Sequence, residues 1–192
     1  MILVNEKKMI NKHSLDLDSR DLSLLTPNFR PLVEKVIASC AKKRVKLVPY
    51  STVRGPLFQA RAWCKGRSRL RILAMIENFK KLQCPAMQRV MEIALAEKPK
   101  KDDSKIVTHS LPGESWHHWG EAVDMYIEKK GKPDWNDVEG YKIYRAEAEK
   151  LGLTSGGSFR RLVEPVHIQL STLGKPNLSF FTLDRRLSEK FG

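Results

Sequence analysis

The sequence predicts an α+β fold: a small antiparallel sheet with helices packed against it. Two alternating stretches and several helical stripes carry that expectation. In Ala122-Val123-Asp124-Met125-Tyr126-Ile127, apolar Val123, Met125 and Ile127 recur at every second position, so Asp124 points from the opposite face. His167-Ile168-Gln169-Leu170, after Pro165, repeats the alternation and turns His167 away from Ile168 and Leu170. Elsewhere the apolar residues recur at three and four, the period of a half-buried helix. A length of 192 residues makes one domain over 1–192 the default, with enough chain to bury a core.

In chain order, residues 1–20 are polar and weakly patterned and read as a peripheral arm. Thr26-Pro27 opens a helix with Val33, Val36, Ile37 and Cys40 on one face. Val45–Tyr50 reads as a strand. A turn follows, and Pro56 is suited to begin a helix carrying Gln59, Ala60 and Trp63, with Gly66 as its stop. Residues 69–105 form a helical insertion and charged loop. Leu70, Leu73, Ile76 and Phe79 make one stripe, and Met87, Val90, Met91 and Leu95 make a second after Pro85. Lys98–Lys105 reads as a solvated linker, and Ile106-Val107-Thr108 as a short strand. Asn136-Asp137 caps a helix with Tyr141, Tyr144, Ala148 and Leu151 on its apolar face, ended by Gly152. Leu183, Leu187 and Phe191 close the chain with a short helix.

Composition narrows the function. Hydrophobic content of 41% is ordinary for a soluble chain, and no apolar run approaches a membrane span. Met1-Ile2-Leu3-Val4 is too short for a signal-peptide core and is followed by Asn5-Glu6-Lys7-Lys8, so synthesis in the cytoplasm without an ordinary export signal is the expectation. Cys40, Cys64 and Cys84 are odd in number and lack a Cys-x-x-Cys spacing, which excludes a disulfide framework or zinc knuckle and leaves reduced core thiols. Lys+Arg 35 against Asp+Glu 22 gives a net charge of +13, an excess that favours polyanions. The cations are scattered and not interleaved with aromatics, so no nucleic acid is expected, and anionic envelope polymers remain as partners. The expected state is a monomer.

The chemistry gathers in Ser115-Trp116-His117-His118-Trp119-Gly120-Glu121-Ala122-Val123-Asp124 and, forty residues on, Glu164-Pro165-Val166-His167. Two histidines and an aspartate are the donor set of a catalytic zinc, which takes three protein ligands and leaves a fourth position to water. His117, Asp124 and His167 are the candidate ligands. Glu164 is the candidate base for that water. Gly120 lets the backbone turn between His117 and Asp124. Gly113-Glu114-Ser115 lacks the second glycine of a serine-hydrolase elbow, since His117 stands there, so Ser115 reads as support for the loop. His13, His109 and His118 read as structural, with a place at the substrate or behind the ligands as the alternative for His118. Trp116 and Trp119 either line a groove or pack.

At these residues the chain resembles the zinc peptidases that include L-alanyl-D-glutamate endopeptidases and D-alanyl-D-alanine carboxypeptidases of bacterial cell walls. The shared pattern is Ser-x-His-x-x-Gly-x-Ala-x-Asp followed later by Asp/Glu-x-x-His. Ser115, His117, Gly120, Ala122, Asp124, Glu164 and His167 fall on it. Pro112-Gly113-Glu114 and Gln169 are similar to the endopeptidase branch, phage endolysins included, and Glu164 to the carboxypeptidase branch. Arg54, Gln59 and Gly66-Arg67-Ser68 resemble a further family feature. Ser155-Gly156-Gly157-Ser158-Phe159 keeps the glycines of a Trp-Gly-Gly-x-Trp turn without its tryptophans.

The resemblance implies a Hedgehog/DD-peptidase-like fold and one Zn2+ per chain. It implies peptidoglycan stem peptide as substrate, with L-Ala–D-Glu as the preferred bond and D-Ala–D-Ala as the alternative. Arg54 would face a substrate carboxylate or the developing oxyanion, and Gln59, Ser115 and His118 would lie on the substrate side. Release through a membrane lesion of the holin kind would bring such an enzyme to the wall. The rival class is a non-catalytic, metal-stabilised binding protein for envelope polyanion or nucleic acid.

Overall fold

A computed structural model describes residues 12–102, 104–159 and 163–192. Its helices are α1 (Lys12–Leu15), α2 (Arg30–Lys42), α3 (Pro56–Cys64), α4 (Arg69–Lys81), α5 (Pro85–Glu97), α6 (Val138–Lys150) and α7 (Phe180–Phe191). Its strands are β1 (Leu47–Ser51), β2 (Ala122–Lys129), β3 (Lys132–Asp134), β4 (Thr154–Ser155) and β5 (His167–Gln169). The expected α+β class with a small antiparallel sheet is what the chain adopts. The chain groups into two compact units.

The sheet-bearing unit comprises Asp18–Arg54 and Ser115–Asn177. Its strands run in the order β1-β2-β5-β4, all pairs antiparallel, with β3 also on β2. Helices α2 and α6 cover the face formed by Val123, Met125, Ile127 and Ile168, and Val33, Val36 and Tyr144 interdigitate there. Each helix places its apolar residues three and four apart, so burying one stripe removes it from water at about 25 cal/mol per Å². Asp137 accepts from Gly140 N at 3.0 Å and caps α6 as sequence predicts. The opposite sheet face carries Ser51 and Asp124, paired across β1 and β2.

The helical unit comprises residues 12–17, Gly55–Glu114 and Leu178–Gly192. Pro56 and Pro85 stand at the first turns of α3 and α5, where a missing N–H costs nothing. Cys84 offers α5 no side-chain cap. Asp184 of α7 takes that role, its Oδ1 accepting from Met87 N at 2.7 Å. Of the stripe expected on α4, Ile76 and Phe79 are buried, but Leu70 and Leu73 are 79% and 46% exposed and Ile72 takes the inner position. Ile106–Thr108 is irregular rather than a strand, with Ile106 and Val107 exposed. The charged linker is not wholly solvated either: Lys98 and Asp102 are largely buried and ion-paired, and Lys98 Nζ donates to Cys64 O at 3.0 Å. The three cysteines are buried free thiols, and burial pushes Cys40 and Cys64 up to about 11.

Of the arm expected over 1–20, residues 1–11 lie outside the described residues, as do the side chains of Lys12 and His13. Farther on, Asp18 bridges to Arg54. No described helix is long and apolar enough to cross a membrane.

Candidate metal centre

His117, Asp124 and His167 converge. Their ligand atoms all lie within 4.8 Å of one another, and all three residues are buried. The local reasons differ for each. His117 stands in a 3-10 turn, Trp116–Trp119, that ends in the left-handed conformation at Gly120, φ 72°. A Cβ at Gly120 would meet Leu24 O at 2.8 Å, so glycine is required twice over. Asp124 follows on β2. His167 stands directly opposite it on β5, so the antiparallel register itself brings the carboxylate and imidazole to one face.

Hydrogen bonds orient each ring. His117 Nδ1 is 2.8 Å from Thr52 O, an acceptor only, so that nitrogen carries the proton. Its Nε2 faces Asp124 Oδ1 at 3.3 Å. Gln169 Nε2 donates to Ser171 O and Leu173 O at 2.7 and 2.6 Å, which commits the amide nitrogen and turns Oε1 to His167 Nε2 at 3.0 Å. His167 Nε2 is therefore a donor, and Nδ1 faces Asp124 Oδ1 at 2.9 Å. Two ring nitrogens and a carboxylate oxygen point inward; an oxygen holds the other nitrogen of each ring, and Arg54 Nη2 donates to the other carboxylate oxygen.

The donor set fits zinc. Ligands about 2.0–2.1 Å from a tetrahedral ion stand about 3.4 Å apart, close to the 3.3 and 2.9 Å between Asp124 Oδ1 and the two nitrogens.

Charge is balanced around Asp124. Burial pushes its carboxyl up, but His117 and His167 outweigh that and hold it well below the usual range. Burial lowers His117, and the Arg54 charge adds to that against Asp124, so the net shift is downward. For His167 burial also acts downward, yet the hydrogen bond to Asp124 and its charge prevail and the shift is upward. The two histidines thus divide one carboxylate unequally, with the shorter contact at His167.

Arg54 lies on the same face. Its Nη2 donates to Asp124 Oδ2 at 3.0 Å and to Ser51 Oγ at 3.1 Å, and Ser51 Oγ donates to Asp18 Oδ1 at 2.6 Å. Its guanidinium is anchored on the Asp124 carboxylate, a contact that residue spacing did not disclose. Glu164, half-buried, precedes β5. Burial raises its carboxyl, with Asp124 adding to the rise and His167 and Arg54 opposing it. Its position depends on Gly156: Glu164 N donates to Gly156 O at 2.9 Å, and a Cβ on Gly156 would meet Glu164 O at 2.5 Å and His167 Cβ at 2.9 Å. Phe159 from the same turn sets its ring 5.8 Å from that of His167.

The remaining candidates are placed as follows. His118 is fully buried, with Nδ1 2.7 Å from Arg54 O, behind Arg54 rather than on open surface. Ser115 makes no side-chain cap bond; its carbonyl accepts from His118 N at 3.1 Å. Gln59 belongs to the helical unit, where its Nε2 donates to Ser110 O at 2.8 Å. Trp116 Nε1 donates to Leu173 O at 2.8 Å, and Trp119 is buried, so both are tied into packing. Thr52, Ser51 and Asp18 were not legible as site residues, and Gly156 was legible only as part of a glycine turn. Gln169 has a sequence signal, since it lies two residues after His167 on a strand and so shares its face.

A family model described as D-alanyl-D-alanine carboxypeptidase, VanY, matches residues 23–158. The match takes in Arg54, His117 and Asp124 and ends before Glu164 and His167; the pairing of β5 with β2 brings His167 back opposite Asp124. Among solved structures the chain is similar to the crystal structure of Serratia marcescens L-Ala D-Glu endopeptidase ChiX, at 18% identity over 82% of this chain and 91% of that one, with a TM-score of 0.41. No curated protein matches the chain.

Proposed function

This chain belongs to the VanY family, that of the D-alanyl-D-alanine carboxypeptidase model it matches, and on that premise we propose that it is a zinc-dependent hydrolase of an amide bond in the peptidoglycan stem peptide. The observation that carries the reading is the convergence of His117, Asp124 and His167 beside a carboxylate, Glu164, that is not one of the three. A structural zinc is more often closed by four protein ligands, frequently cysteines. Three ligands and a separate carboxylate suit hydrolysis, and speak against a binding protein without turnover.

Bound zinc would supply Lewis-acid polarisation of the scissile carbonyl and ease ionisation of the attacking water. Glu164 takes that water's proton and passes one to the leaving amine. Burial raises its carboxyl in the metal-free chain, the direction that strengthens a glutamate as a base. Arg54, held by Asp124 and Ser51, shares the oxyanion's charge. The oxygens of Thr52 and Gln169 keep the two imidazoles in the tautomers that present Nε2 and Nδ1.

The bond proposed is L-Ala–D-Glu, on the likeness of Pro112-Gly113-Glu114 and Gln169 to the endopeptidase branch. A second reading, D-Ala–D-Ala, is favoured by the description of the matching family model and by glutamate at position 164. Digestion of purified peptidoglycan, with dinitrophenyl labelling and mass spectrometry, separates them. New amino termini on D-Glu are expected. Free D-Ala without them establishes the second reading, and no released fragment from the zinc-loaded protein overturns both.

A further inference from the structure

The face of β2 that bears Asp124 continues into an aromatic cluster. Tyr126, two residues on, points to the same side. Tyr50 of β1 and Trp135, just past β3, close around it. The Trp135 ring lies 5.1 Å from Tyr50, edge to face at 80°, and 5.4 Å from Tyr126, tilted at 52°. The Arg20 guanidinium carbon stands 5.6 Å from the Tyr50 ring centre. Trp135 is 45% exposed and Tyr50 39%, so the cluster meets solvent although core positions for large rings exist elsewhere in the unit. Contiguous aromatic surface of this kind marks a binding surface more often than scattered single hydrophobics do.

We propose that Tyr50, Tyr126 and Trp135 form a sugar subsite that takes the N-acetylmuramoyl ring from which the stem peptide hangs. The proposal rests on the reading of the metal centre as a stem-peptide hydrolase. The flat face of a pyranose presents C–H bonds, which suit the electron-rich face of indole and phenol rings, while its rim hydroxyls suit a donor such as Arg20. Reach then selects the bond. Asp124 and Tyr126 are two residues of strand apart, about 6.6 Å. The L-Ala–D-Glu bond is one residue from the sugar's lactyl group, about 3.5 Å of extended chain, and the D-Ala–D-Ala bond is four residues away, about 14 Å. A platform beginning this close to the ligand carboxylate matches the shorter arm.

The test compares an N-acetylmuramoyl stem peptide with the same peptide lacking the sugar, using the zinc-loaded full chain. The quantity read is the ratio of their KM values. Wild type should favour the sugar-bearing peptide, and Trp135→Ala should lose about tenfold of that preference, about 1.4 kcal/mol, which Trp135→Phe largely restores. An unchanged ratio in Trp135→Ala overturns the proposal, as does a loss that is equal for both peptides. Calorimetric binding of N-acetylmuramoyl-L-Ala-D-isoglutamine to Glu164→Gln reads the subsite without turnover. Binding weakened by adding Trp135→Ala supports the subsite even if the wild type hydrolyses neither peptide, a result that sinks only the hydrolase reading. Equal binding with and without the substitution overturns it.

Discussion

Asp124 and His167 stand directly opposite each other on neighbouring antiparallel strands, with Oδ1 2.9 Å from Nδ1. A slip of one residue in that register would turn His167 into the apolar core and Ile168 onto the charged face. The hydrophobic alternation that seats Val123, Met125 and Ile168 in the core therefore also aligns the two candidate ligands.

Removing a ligand should remove the metal without unfolding the chain. His117→Ala, Asp124→Asn and His167→Ala are each expected to lower zinc content from one per chain towards none and to abolish hydrolysis. Elemental analysis with circular dichroism checks both. Full activity in metal-free wild type would contradict the site.

Glu164→Gln should part binding from chemistry. The variant keeps the side chain's volume while removing the base, so zinc content should hold and kcat should fall about 10²–10⁴-fold. Because the base works ionised, the wild-type rate should fall on acidification as Glu164 takes up a proton. A steady-state pH profile of both proteins decides whether that limb belongs to Glu164.

Gln169→Leu should weaken zinc binding about 10–100-fold, since it deletes the oxygen that holds His167 Nε2. Competition against a chromophoric chelator measures it. Affinity equal to wild type would show that the strand alone orients the ring.

The metal-free protein should have its own pH signature. His167 is raised in the fold, so its contribution to stability is full below the unfolded value of about 6.5 and fades as pH rises through the folded value. Asp124 is lowered, so its contribution is present above about 3.9 and fades as pH falls through the folded value. Thermal unfolding after chelation should therefore show the pair's largest contribution between about pH 4 and 6.5. His117 opposes it there, since its lowered value costs stability on acidification. The contribution should be reduced in His167→Ala, where His117 still holds Asp124 down. Zinc affinity should instead drop as pH falls, because His167 must lose its Nδ1 proton to ligate.

Gly156→Ala should damage the site from outside it. The new Cβ would meet Glu164 O and His167 Cβ below normal contact distance, so the loop must shift, at about 1–3 kcal/mol in stability, with loss of both turnover and zinc affinity. Gly157→Ala serves as the control, since its Cβ would approach nothing closer than 3.4 Å.

Much of this was present in the chain order. The alternation of Val123, Met125 and Ile127 defined a strand and the face of Asp124, and the periods of α2, α5 and α6 announced their buried sides, because side-chain direction on a regular element follows from local geometry alone. The residue types at 117, 124 and 167 pointed to a group that could hold a metal, since few donor sets suit one, and the structure gathers those three. Local rules failed where a partner from elsewhere in the chain decides. Leu70 and Leu73 continue the period of α4 yet face solvent, because the helix is packed through Ile72 instead. Arg54 holds Asp124, seventy positions away, and Gly156 is pressed against Glu164 and His167, approaches that exist only once the strands are paired. Sequence by itself determined which atoms can serve the site. Only the tertiary structure decided how they are aimed, since the hydrogen bonds that choose a tautomer and the contacts that require a bare backbone come from residues distant in the chain.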